Sequence, residues 1–470
     1  MAECTFVILG ATGDLAKRKL FPAIYKLIKD KKIKKFAIIG AANSNSSAEK
    51  ILENSKKFIK QYNSKIWESL KKSTYYQQLN FYNTQDYPKL KKIIEDVEKK
   101  HKLYGNKLFY LATLPEHFKK ITELLSKNKI VKKHINKKEC SDCKHPWSRI
   151  VYEKPFGHNL KSAQKINKYI LKLFHEKQIY RIDHYLGKEL VSNITLVRFT
   201  NKIFEPLWNN KNIDSVQIIL SEKLGIDSRG KFYDKYGALK DVVQNHMLQM
   251  LAVTTMEPPK KYTAKEIRDA KSNLLEQVKI DNVILGQYQE YTKEKDINLK
   301  SKTETFAALK LFINNKRWKN VPFYLKTGKA LDKKEASIHL KFKMVKCILS
   351  KSCPTDSNYL TIKITPEEGF FLELNAKLPG VKDKITTVKM DFCHPCTFGP
   401  NSPGAYEMLL LDVINGDQSI FVRSDEIELS WKIIDQIDKN KLNLYKYKKG
   451  SKGPKEIELL DPNKKIIWRA

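Results

Sequence analysis

The chain opens on an apolar run, Phe6-Val7-Ile8-Leu9, which stops at Gly10 and gives way at once to a helical pattern with Leu20, Ile24 and Leu27 at turn spacing. A short run that is apolar at every position is what a strand buried in a parallel sheet looks like. Phe36-Ala37-Ile38-Ile39-Gly40, Leu108-Phe109-Tyr110-Leu111-Ala112 and Ile150-Val151-Tyr152 repeat the pattern, with lysine-rich helical stretches between them. Strands alternating with helices imply a parallel sheet with right-handed crossovers.

The turn after the first strand reads Gly10-Ala11-Thr12-Gly13-Asp14-Leu15-Ala16. Its glycines let backbone N–H groups approach a pyrophosphate, and the helix start stabilises the negative charge. The spacing is G-x-x-G-x-x-A rather than GxGxxG, with Ala16 still small enough for close helix packing. Together these features predict an α/β Rossmann-like dinucleotide-binding domain over residues 1–180. The second strand ends in Gly40-Ala41-Ala42-Asn43-Ser44, with neither the acid that holds a ribose diol nor the Arg that accepts a 2′-phosphate.

Beyond residue 180 the texture changes. Ser215–Leu220, Thr305–Ile313, Ala336–Phe342, Tyr359–Ile364 and Phe370–Ala376 are strand-like, many of them alternating apolar with polar. Tyr406–Asp412 and Asp425–Ile437 look helical, and Tyr445–Pro454 reads as loop. This predicts a larger α+β domain over 181–470, built on an antiparallel sheet with helices covering one side. At 470 residues two domains are the expectation.

The net charge of +36 suggests nucleic acid or a membrane surface. Its distribution argues against both. Most of the cations are lysines, scattered in pairs such as Lys99-Lys100 and Lys448-Lys449 rather than gathered in a stripe, and no aromatic platforms interleave with them. No apolar run approaches the roughly 20 residues of a membrane helix. The N-terminal stretch lacks the basic start and small-residue cleavage site of a secretory signal, so a soluble, cytoplasmic protein is expected. Seven cysteines include the pairs Cys140/Cys143 and Cys393/Cys396, with His134, His145 and His394 nearby. Four thiolates could ligate zinc. The pairs lie far apart in the chain, so reduced loop thiols and no metal are the expectation.

The densest chemistry lies in Arg181-Ile182-Asp183-His184-Tyr185-Leu186-Gly187-Lys188-Glu189. Were this run helical, His184 and Lys188 would share one face as a phosphate clamp, leaving Asp183 to orient another group. Glu153-Lys154-Pro155-Phe156-Gly157 closes a strand, where ligands of open α/β sheets bind. Asp241-Val242-Val243-Gln244-Asn245-His246 begins a buried helix. A carboxylate that fixes the tautomer of His246 would equip it to take a proton from a hydroxyl as hydride leaves the same carbon.

These blocks, taken in order with Pro322-Phe323-Tyr324-Leu325-Lys326-Thr327-Gly328-Lys329, Ala405-Tyr406-Glu407 and Leu409-Leu410-Leu411-Asp412, resemble the glucose-6-phosphate dehydrogenase family over nearly the whole length. The resemblance implies oxidation of glucose 6-phosphate at C1 to 6-phosphogluconolactone, with hydride passing to NADP and NAD as the alternative acceptor. His246 matches the general base, Asp183 the carboxylate that orients it, and Lys154 the lysine that touches both substrate and nicotinamide. His184, Tyr185 and Lys188 match the phosphate group of residues. Glu222 and Asp241 match acids on sugar hydroxyls, and Lys329 and Lys334 basic residues of the second domain. Gly10, Thr12, Gly13, Asp14 and Leu15 match the cofactor turn, and Asn43 stands where the family usually has Arg. Leu114 replaces a proline, and Gly404 an acid. A homodimer or homotetramer assembled through the large sheet is implied. The rival readings are a dehydrogenase of another (phospho)sugar on the same scaffold and a basic nucleic-acid-binding protein.

Overall fold

The computed structural model describes residues 2–133, 146–345, 356–381, 384–399, 404–462 and 466–469. Two compact units emerge: Met1–Gly187 with Tyr262–Arg268 and Pro403–Glu428, and Lys188–Lys261 with Asp269–Ser402 and Leu429–Ala470.

Six strands build the first unit: β1 (Ala2–Leu9), β2 (Ile33–Ala42), β3 (Thr74–Gln78), β4 (Lys107–Leu111), β5 (Ser148–Tyr152) and β6 (Ile179–Arg181). All pair in parallel, in the order β3-β2-β1-β4-β5-β6. This is the doubly wound arrangement, with its switch point between β1 and β4. The apolar run Phe6–Leu9 is fully buried. Helix Phe21–Lys29 has Pro22 in its first turn, where the missing N–H costs nothing. It buries Ile24 and Leu27 in a core shared with Ile38, Trp67, Leu409 and Leu410. The last two belong to helix Ala405–Asn415, which returns from late in the chain.

The second unit is organised on nine described strands: β7 (Ile213–Ser221), β8 (Val278–Tyr288), β9 (Phe306–Ile313), β10 (Phe323–Gly328), β11 (Glu335–Phe342), β12 (Tyr359–Thr365), β13 (Gly369–Lys377), β14 (Ile385–Cys393) and β15 (Leu444–Tyr447). Their order is β14-β13-β12-β11-β7-β10-β9-β8-β15. The sheet is mixed rather than purely antiparallel, because β10 runs parallel to β7 and β15 parallel to β8. Tyr445–Tyr447, expected as part of a loop, belongs instead to the edge strand β15 because the Tyr447 ring is buried among Tyr288 and Phe306 and its hydroxyl donates to the Lys329 carbonyl.

Cys393 and Cys396 form a disulfide in place of the expected reduced thiols. They flank the end of β14 with Cα atoms 5.2 Å apart, a span that a disulfide bridges without backbone movement. Cys140, Cys143, His134 and His145 lie outside the described residues. Among the described residues no cluster of His, Cys, Asp or Glu could hold a metal, and no helix is long and apolar enough to cross a membrane.

Candidate active site

In the first unit, the strand ends converge on the glycine turn. Gly10 adopts φ +95°, and a Cβ there would run into the Ala112 carbonyl at the end of β4. Its N–H donates to the Ala41 carbonyl of β2 at 2.7 Å, and the Ala11 N–H to the same oxygen at 3.2 Å. Only glycine permits this gathering of three strand ends. Gly13 N–H bonds back to the Gly10 carbonyl at 3.0 Å, and the helix begins at the next residue. Thr12 Oγ1 meets Ser44 Oγ at 3.1 Å, and the exposed Asn43 accepts from Gln78 at its carbonyl. The backbone cradle that a side chain would fill, facing a helix start, fits the pyrophosphate of a nicotinamide dinucleotide. Asp14 is ion-paired to Lys17 at 3.1 Å and Arg18 at 2.8 Å, and hydrogen bonds from Lys17 above all hold its carboxyl below the ordinary range. Leu15 packs against the core.

Lys154 follows β5 and precedes a cis peptide to Pro155. Beside it Glu153 accepts from Tyr110 Oη at 2.5 Å and Tyr406 Oη at 3.3 Å. Burial raises its carboxyl pKa against those two donors. Neither Glu153 nor Tyr406 is among the expected site residues, although both lie inside the blocks quoted above.

Residues after β6 do not form the expected helix. Asp183 is buried, its Oδ1 takes the Tyr185 N–H at 3.0 Å, and the Leu186 N–H bonds to the Asp183 carbonyl at 3.1 Å. This local turn outcompetes helix. Gly187 is pressed against Leu409, so no side chain fits there. The helix starts only at Glu189, with Lys188 at its N-cap. His184 and Tyr185 instead lie ring to ring at 4.8 Å.

In the second unit, β7 and β10 pair Ser221 with Gly328, so the residues that follow each strand emerge side by side. They are Glu222 and Lys329, which form an ion pair. The Lys329 ammonium also stands 5.6 Å over the Tyr233 ring. Burial pushes the Tyr233 phenol well above its usual pKa, and the charges of Asp241, Glu304 and Glu222 push the same way. The Glu222–Lys329 pair therefore lies by one tyrosine, on which the charge of Asp241 also bears. Asp241 and His246, both buried, ride on Leu239–Met247, which is wound as a π-helix. Five residues make one i→i+5 repeat, so this winding brings the carboxylate and the imidazole towards one face; such segments favour functional sites. Lys334 is exposed on the loop between β10 and β11. The Lys188 pKa is lowered by burial first, then by Lys334, against the opposing charge of Glu368.

The start of the π-wound segment is fixed by a residue absent from the sequence reading. Glu304, 1% exposed, takes the Leu239 N–H at 3.1 Å, and both of its oxygens accept from the Lys439 ammonium at 2.7 Å. Gly237, at φ +67° and ψ −179°, leaves space for that carboxylate, which a Cβ would approach at 2.5–2.8 Å. This backbone region is essentially reserved for glycine. The carboxylate also complements the positive helix start. Only the glycine was visible as a signal; one acid in a Thr-Glu-Thr run carries none.

A doubly wound nucleotide cradle, with a second unit carrying a buried imidazole, acids and lysines, defines a nicotinamide-dependent oxidoreductase. Family models agree: residues 7–193 match the NAD-binding domain of glucose-6-phosphate dehydrogenase and 195–469 its C-terminal domain. The chain is 40% identical to the glucose-6-phosphate 1-dehydrogenase of Chlamydia pneumoniae, over 99% of this chain and 96% of that one. It is 39% identical to that of Bacillus subtilis, over 99% and 98%. A glucose-6-phosphate dehydrogenase solved in complex with its substrate glucose 6-phosphate superposes with a TM-score of 0.90 at 32% identity, covering 99% and 98%. That of Mycobacterium avium gives 0.85 at 31%, covering 100% and 99%. This chain belongs to the glucose-6-phosphate dehydrogenase family.

Gly237→Ala should lower stability by about 2 kcal/mol or more, because it combines a disfavoured backbone with a clash against a buried carboxylate. A urea midpoint equal to wild type would show that Glu304 has room to retreat.

Proposed function

We propose that the chain oxidises D-glucose 6-phosphate at C1 to 6-phosphogluconolactone, with NADP as the preferred cofactor. The observation that carries this reading is the Glu222–Lys329 ion pair by Tyr233, with Asp241 and the buried His246 one π-repeat apart on the same wound segment. It joins hydroxyl-binding acids to an imidazole able to take a proton. The nicotinamide, when bound, supplies the hydride acceptor. Gly10, Thr12, Gly13, Asp14, Leu15 and Asn43 are proposed as its binding residues. With no Arg at Asn43, Thr12 and Ser44 are left as neutral donors at that strand end, so NAD is the alternative.

His246 is the proposed general base, removing the C1 hydroxyl proton, with Asp183 as its orienting carboxylate. Lys154 contacts the sugar and the nicotinamide in this scheme. His184, Tyr185 and Lys188 hold the phosphate, Glu222 and Asp241 the ring hydroxyls, and Lys329 and Lys334 add positive charge. Residues 1–180 serve as the nucleotide domain and 181–470 as the substrate and assembly domain of a homodimer or homotetramer in the cytoplasm. Exposed Val388 and Met390 on β14 support assembly through the large sheet.

Purified protein should reduce NADP, and NAD more weakly, with glucose 6-phosphate, and should turn over glucose far more slowly. Absorbance of the reduced nicotinamide reads this; no reduction of either cofactor with the phosphorylated sugar defeats the reading. His246→Asn should lose roughly 10²–10⁴-fold in kcat while KM for the sugar stays near wild type, since the base acts in the transition state. Near-full turnover would assign the proton to another group. Lys188→Ala should raise KM for the sugar phosphate roughly tenfold through loss of a charged hydrogen bond. Because burial lowers the Lys188 pKa, the ammonium is lost at lower pH than for ordinary lysine, so wild-type KM should climb as pH rises through that value. A KM indifferent to the substitution removes Lys188 from the phosphate site.

A further inference from the structure

Cys393 is the last residue of β14, and Cys396 lies in the short helix His394–Phe398 that follows. Their disulfide is at the surface: Cys396 is exposed and Cys393 half-buried. It closes a loop of only four residues, where the loop-entropy contribution to stability is smallest. A disulfide that does little for stability and is open to solvent belongs to the exchangeable kind. The Cys396 N–H points at Cys393 Sγ at 3.2 Å, a donor able to hold a thiolate there.

The bridge is fastened to a second feature. His394, between the two cysteines, donates its N–H to the Glu368 carbonyl at 3.0 Å. Cys393 itself stands opposite Gly369 across β13 and β14, and Gly369 is backed against the Phe392 carbonyl with no space for a side chain. The strand end that carries the disulfide and the turn that carries Glu368 are thus one tied unit. Glu368 is the acid whose charge bears on Lys188, opposing Lys334.

We propose that Cys393 and Cys396 are a redox-active dithiol–disulfide pair that exchanges with small-molecule or protein thiols and sets the affinity for the sugar phosphate through Glu368. The inference rests on Lys188 being a phosphate ligand. Reduction consumes two external thiols. The first, as thiolate, attacks the exposed Cys396 Sγ, forms a mixed disulfide and expels Cys393 as a thiolate beside the Cys396 N–H. The second attacks the mixed disulfide at the external sulfur, releasing Cys396 as a thiol and an external disulfide that carries away the pair's oxidising equivalents. Oxidation by an external disulfide runs the same steps backwards. In the bridged form the turn is held and the Glu368 carboxylate offsets the positive charge offered to a phosphate. In the dithiol form the short helix is released from β14, the turn relaxes, and a phosphate meets less competing negative charge.

The test equilibrates the full-length protein in glutathione buffers of graded reduced-to-oxidised ratio. Alkylation located by peptide mass reads Cys393 and Cys396, and KM for glucose 6-phosphate is measured on the same samples. Both thiols should appear together as the buffer becomes reducing, with KM falling about threefold, the scale of one partly exposed charge, and kcat steady. The Cys393→Ser/Cys396→Ser protein should keep the low KM in every buffer, and Glu368→Gln should show a low KM that no longer responds. A pair locked in one state across all buffers overturns the proposal, as does one KM for both states or a Glu368→Gln protein that still responds. Absence of turnover in every buffer defeats the activity reading instead, while the alkylation pattern still decides whether the pair exchanges.

Discussion

A carboxylate removed from water must be matched by donors and an opposite charge, because leaving it alone costs several kcal/mol. Glu304 meets that demand with the Leu239 N–H and Lys439, and in doing so fixes where the π-wound segment begins. Everything on that segment inherits its position from the clasp. The placement of Asp241 and of the buried His246 follows from where Leu239 starts. Lys439 arrives from far along the chain, so the helix that carries the imidazole is anchored by a long-range contact rather than by its own propensity.

Strand ends do the remaining placement. In the first unit the reversal of strand order between β1 and β4 opens the space into which the Gly10 turn projects, as open parallel sheets generally do. In the second unit a parallel pair inside an otherwise largely antiparallel sheet has a comparable effect. Because β7 and β10 point the same way, Glu222 and Lys329 leave the sheet together and pair. An antiparallel neighbour would have sent the two residues to opposite ends of the strands.

Four strands of the nucleotide sheet were legible because each carries a run that is apolar at every position and because the turn after the first needs glycine, whereas polar β3, Thr-Tyr-Tyr-Gln-Gln, and the three-residue β6 went unread. Buried strands of a parallel sheet have no polar face to obscure the pattern. The second sheet was only partly legible. β14 alternates Thr, Lys and Asp with apolar residues, is largely exposed and went unread, while β15 was assigned to loop because Lys446 and Lys448 mask the buried Tyr447. The stretch from Asp183 to Lys188 carries helical spacing, but an aspartate that bonds the backbone two residues on makes a turn instead. The π winding of Leu239–Met247 is invisible in composition: Asp241 and His246 sit five apart, which an α-helical reading separates. The disulfide was unreadable because the same Cys-x-x-Cys spacing serves reduced thiols, metals and bridges alike.

The first unit is not contiguous along the polypeptide. Leu409, Leu410 and Phe421 complete a core whose other walls come from Phe6, Leu20 and Trp67. A ribosome emits these residues long after the sixth strand, so a nascent chain displays the N-terminal sheet with part of its apolar face unsealed until they arrive. Cutting the gene after the sixth strand would deliver a fragment with a cleft where helix Ala405–Asn415 belongs, prone to stick to its own copies. The nucleotide-binding half is therefore not a portable module: its completion waits for Leu409, 403 residues after Phe6.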